Sequence, residues 1–139
     1  MNRFSRAGLF LAVILVGGLF VAYEAGAFEG RKCAISGTIT RDGKPLEWSK
    51  EGGLFLVIFV PVNRRPGQDP ILAESDRDTG TYRIPEIRSG RYMVAIHQFD
   101  ERHTDALANK YDPVKTPLRV DVDDDGQVID IDLPKELPR

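Results

Sequence analysis

The chain has 139 residues, with 19 Lys and Arg against 21 Asp and Glu, two histidines and one cysteine. That length suits one domain, and interspersed charge without a basic stripe argues against a nucleic-acid partner. The lone cysteine, Cys33, rules out an intramolecular disulfide and any CxxC site.

The first segment is unlike the rest. Arg3 and Arg6 precede an uncharged, mostly apolar run from Ala7 to Tyr23, and Ala25-Gly26-Ala27 places small residues in A-x-A spacing. Residues 1–27 are therefore expected to be a secretory signal peptide cleaved near Ala27 or an uncleaved signal anchor. As a helix, the apolar run would span roughly 25 Å, at the short end for a bilayer core. Both alternatives export the remainder to the periplasm or the exterior, either released or held by a single membrane helix over 7–23. Residues 28–33 read as a short linker. From Phe28 onward the net charge is −3, from 17 cations and 20 acids.

Short apolar runs separated by Pro and Gly predict an all-β domain over 34–133, a seven-stranded antiparallel sandwich. The first strand is expected over 34–40, with Ile35, Gly37 and Ile39 on one face. Asp42-Gly43 then makes a tight turn. The unalternated run 54–60 predicts a central strand covered on both faces. Residues 71–75 and 81–84 flank a turn at 76–80, and 85–90 reads as a connection. Along 91–99, Tyr92, Val94 and Ile96 share a face. The irregular stretch 100–116 is expected to hold one helical turn between Thr104 and Lys110, capped by Thr104 or Asp105. A two-residue turn at Asp125-Gly126 predicts a final hairpin pairing Val122 with Ile129, Val120 with Ile131 and Leu118 with Leu133. A polar tail, 134–139, closes the chain.

Several of these residues carry a resemblance. Ser36-Gly37-Thr38-Ile39, then Asp42-Gly43-Lys44-Pro45-Leu46, then Gly80-Thr81-Tyr82 and Gly90-Arg91-Tyr92 follow one another in the order seen in the carboxypeptidase regulatory-like family. The chain resembles that family over 35–133, and is most similar to short exported members of planctomycete-type bacteria that carry a leader and one such domain. Some of those carry a lipobox cysteine; here Arg31 and Lys32 precede Cys33, which departs from that pattern and suggests a buried thiol instead. The resemblance implies a transthyretin-like (prealbumin-like) Greek-key fold and a non-enzymatic interaction or structural module at the cell envelope, with no cofactor. Its partner would be an unidentified envelope or surface protein, and its membrane contact the N-terminal segment.

Two rival functions remain, a calcium or carbohydrate module and a small hydrolase. Asp121-x-Asp123-x-Asp125-Gly126 approaches an EF-hand loop but lacks flanking helices. In the expected hairpin, Asp121 and Asp130 stand opposite each other with Asp123 diagonal, a repulsion that a loosely held cation would relieve. Trp48, Phe99 and Tyr111 are candidates for a sugar platform. His97 and His103, with Asp100 and Glu101 between them, are too few for a zinc site by themselves. A hydrolase would bring both histidines and an acid into one pocket. The hydrolase known on the transthyretin-like fold ends in Tyr-Arg-Gly-Ser, whereas this chain ends Glu136-Leu137-Pro138-Arg139.

Overall fold

The structure, a computed structural model, describes residues 30–46 and 53–136. The expected leader helix, the cleavage position near Ala27 and Trp48 lie outside the described residues. Within them the chain is all-β, in ten strand segments where seven were expected. These are β1 (Lys32–Arg41), β2 (Lys44–Pro45), β3 (Leu54–Pro61), β4 (Ile71–Leu72), β5 (Glu74–Asp76), β6 (Thr81–Arg88), β7 (Gly90–Phe99), β8 (Arg119–Val122), β9 (Gln127–Val128) and β10 (Ile131–Leu133).

Two sheets share one core. The first runs β10-β1-β6-β5, with β2 and β9 also paired to β1; the second runs β4-β3-β7-β8. Alternation sets what each strand buries. From β1 come Cys33, Ile35 and Ile39, from β3 Phe55, Val57 and Phe59, and from β7 Tyr92, Val94 and Ile96. Phe59 spans the layers, its ring centroid 5.7 Å from that of Tyr82 and 6.0 Å from that of Tyr92. The hydroxyls of these two tyrosines, costly to bury unpaired, each find a carbonyl: Tyr82 donates to Ile129 at 2.5 Å and Tyr92 to Arg88 at 2.7 Å.

The Asp42-Gly43 turn forms as expected. Both residues have positive φ, 52° and 69°, and the turn closes Arg41 onto Lys44. The strand expected over 81–84 instead continues to Arg88, through Pro85. Cys33 faces Ile87 while Ile35 faces Ile84, so β6 uses three residues where β1 uses two. That bulge brings both isoleucines inward and accommodates a proline that has no N–H for the ladder.

The last hairpin does not form. β8 is antiparallel to β7, with Tyr92 opposite Val120 and Gly90 opposite Val122. β9 and β10 lie parallel to β1 in the other sheet, with Ile35 opposite Gln127 and Ile39 opposite Ile131. The chain therefore changes sheets between Val122 and Gln127. Val122, Ile131 and Leu133 are still buried, and Leu118, Val120 and Ile129 pack against the core. Alternation aims side chains correctly in either pairing and does not choose the neighbour. A second change of sheet occurs at Ala73, between β4 and β5, where Ala73 N–H donates to Val57.

Two smaller expectations hold only in part. β3 is central, between β4 and β7, and its inner side is buried, but on its outer side only Val60 is buried, Leu56 and Ile58 are half-covered and Leu54 is exposed. No helical turn forms over 104–110, because Ala108 and Asn109 have positive φ, which a right-handed helix cannot accommodate. Asp105 does act as a cap there, accepting from the Leu107 N–H at 3.0 Å. Although irregular, this stretch delivers fully buried Leu107 and Tyr111 to the core.

Candidate functional site

The three aspartates proposed around a cation are separated. Asp121 sits on β8 and pairs with Arg91 at 2.9 Å. Asp130 precedes β10 in the other sheet and accepts from the Thr38 N–H at 2.8 Å. Asp123, exposed, lies between the sheets' strands, and its carbonyl accepts from Arg31 at 2.7 Å. The facing of Asp121 and Asp130 expected from the hairpin is thus replaced by two separate attachments. Among the described residues no group of three His, Cys, Asp or Glu side chains is placed to hold a metal ion.

Of the other acids of this segment, Asp124 pairs with the Arg31 guanidinium at 3.1 Å, while Asp125 and Asp132 bind the backbone of the β1 region. Asp125 accepts from Ala34 N–H at 2.7 Å. Asp132 accepts from Gly43 N–H at 2.9 Å and from the Thr40 hydroxyl at 2.8 Å. Those two bonds hold the Asp132 carboxyl below its ordinary pKa. Ile129 N–H donates to Ser36 at 2.8 Å, so the acidic run works as a clasp along one edge of β1. Beneath it, burial pushes the Tyr82 phenol well above its ordinary pKa, and the charge of Asp130 adds to the shift.

His97 and His103 are not brought together. His103 is exposed in a turn with φ of 58°. His97 points outward from β7, stacks on Phe99 with centroids 5.3 Å apart, and bonds through Nδ1 to Asp105 at 3.0 Å. Its side chain is 12% exposed and that of Asp105 is 0%. The Asp105 carboxylate also accepts from the backbone N–H groups of Gln98, Leu107 and Asn109, at 3.1, 3.0 and 3.2 Å. Sequence reasoning missed this pairing: nothing local to Asp105 signals a partner on a strand.

The proposed aromatic platform is divided. Tyr111 is fully buried, whereas Phe99 is on the outer side of the second sheet. Cys33 is a free, buried thiol inside β1. Arg64 is held in its loop by Gln68 and Asp69.

The outer faces of the two sheets differ in chemistry. On the first sheet the outward positions are Ser36, Thr38, Thr81, Arg83, Glu74 and Asp76, and Arg83 bonds Glu74 at 2.6 Å. They line a shallow open concavity with Val128 beside them. On the second sheet, β3 and β7 set Leu54 beside Phe99, Leu56 beside His97, Ile58 beside Ala95 and Val60 beside Met93, with Leu72 of β4 next to Ile58. Leu54 is 52% exposed and Leu72 60%. Compared with protein-family models, with curated proteins and with solved structures, the chain matches none.

Proposed function

We propose that this chain is an exported, non-enzymatic interaction module of the carboxypeptidase regulatory-like type, a transthyretin-like sandwich held at the cell envelope. The observation that carries the reading is the apolar outer side of the second sheet. Exposed Leu54 and Leu72 with half-buried Leu56, Ile58 and Phe99, rimmed by the Arg91–Asp121 ion pair, are the kind of surface that a protein contact uses. Export rests on the leader, and the family on the ordered Gly-Thr-Tyr and Gly-Arg-Tyr motifs. The His97–Asp105 pair is read as a clamp, since the other bonds of the carboxylate all go to backbone amides, of Gln98 on β7 and of Leu107 and Asn109 in the loop.

The contact surface is therefore the flat side of β3 and β7. Strand addition at an edge is less favoured, because the edge strands β4, β5, β8 and β10 have only two, three, four and three residues and offer little ladder to a partner. The test is the size of native envelope complexes holding the full chain, compared with the Leu54→Lys, Leu72→Lys double variant. A complex larger than the chain, lost in the variant while folding is kept, supports the reading. An unchanged complex, or none in either case, contradicts it.

A further inference from the structure

Three strands break their apolar alternation at the same end of the molecule. On β1 the inward series Cys33, Ile35, Gly37, Ile39 ends in Arg41. On β7 the series Tyr92, Val94, Ile96 ends in Gln98. After Ile131 and Leu133, the next residue of the same parity beyond β10 is Lys135. Where the core would continue, the layers thus part around cationic and amide groups.

The opening is a cleft of about 480 Å³, within the size range of small-molecule sites. Its lining includes Arg41, Lys44, Lys135 and Gln98, with Leu46 and Ala106 adding apolar surface. Asp42 is the one acid among the described lining residues, which together carry +2 (three cations less one acid) on a chain whose net charge from Phe28 onward is −3. Arg41 is oriented by donating to the Lys135 carbonyl at 2.9 Å. Ala106 N–H donates to the Gln98 carbonyl at 2.7 Å, which fixes the opposite wall. Leu46 and Gln98 are both buried. The buried Tyr111 hydroxyl has no hydrogen-bond partner among the described residues, and Arg41 is close enough for its charge to act on that phenol.

We propose that this mouth between the sheets binds a small organic anion, a carboxylate or phosphate group on a short apolar body. The oxyanion would meet the Arg41 fork, flanked by Lys44 and Lys135, a geometry suited to both headgroups. Its apolar body would lie against Leu46 and Ala106.

The test is an NMR titration of the full chain with benzoate, phenyl phosphate, inorganic phosphate and benzyl alcohol at constant ionic strength. Saturable shifts are expected at Arg41, Lys44, Gln98 and Ala106 from one or both aromatic anions. Which of the two is tighter identifies the headgroup, and benzyl alcohol should produce no saturable shift. The Arg41→Gln, Lys135→Gln variant should weaken binding at least tenfold. Lys44→Gln with Lys135→Gln removes only exposed charges; it should still fold and should weaken binding severalfold. Shifts that do not saturate, equal binding of benzyl alcohol, or undiminished binding in the charge variants would overturn the proposal. Binding of inorganic phosphate as tight as that of phenyl phosphate would remove the apolar part and so overturn it as stated.

Discussion

At the scale of single residues, three positions hold more than their type suggests. Gly37 is buried on β1 beneath the β9–β10 segment. A methyl group there would overlap the Ile129 carbonyl oxygen and approach the Tyr82 hydroxyl to 2.8 Å. Gly37→Ala should therefore cost about 3 kcal/mol of stability, as overpacking against backbone does, measured by urea unfolding; a loss typical of an exposed strand position would contradict the geometry. Asp105→Ala strands three backbone N–H groups and His97, so a loss of about 3 kcal/mol is expected, against about 1 kcal/mol for His97→Gln. Equal losses would mean that the carboxylate is not the hub of this loop. Asp132 has its folded pKa lowered by Gly43 and Thr40. Its contribution is present above the unfolded value of about 4 and vanishes as pH falls through the lower folded one. Melting temperatures of the parent and Asp132→Asn should therefore differ near pH 7 and converge near pH 2; a gap unchanged by acid would contradict this.

At the scale of elements, the faces were legible and the pairings only partly so. Ile35, Ile39, Tyr92, Val94 and Ile96 point where alternation sends them, because period two is a property of each strand alone. The hairpin expected over 118–133 rests on the same property, and it does not form because a change of sheet buries Val122, Ile131 and Leu133 equally well. What decides the pairing is spread along the chain: the carboxylates of Asp125, Asp130 and Asp132 meet backbone donors at Ala34, Thr38 and Gly43, about ninety positions away in sequence. The alternation also carries a second signal: the inward runs of β1 and β7 end in Arg41 and Gln98, and that of β10 is followed by Lys135. For Asp105 no local pattern exists, since its partners converge only when the irregular stretch folds back on β7. Backbone NOEs between Ile35 and Gln127 and between Arg91 and Asp121 are expected; NOEs between Val120 and Ile131 across a hairpin would contradict the sheet change.

At the scale of the molecule, the two sheets turn different chemistry outward. Polar Ser, Thr, Arg and Glu side chains on the first need only water, whereas Leu54 and Leu72 on the second are exposed beside Phe99 and Ile58. This asymmetry follows from β3, whose unalternated apolar run fills both of its faces although the core needs only one. The proposed interaction module would use such a face, and the proposed export would bring it to partners at the envelope. The most direct test is photo-crosslinking in living cells from a reactive side chain placed at position 72 and, separately, at position 83 on the polar sheet. Position 72 should give a discrete protein adduct and position 83 none; adducts at equal yield from both, or from neither, would contradict the account.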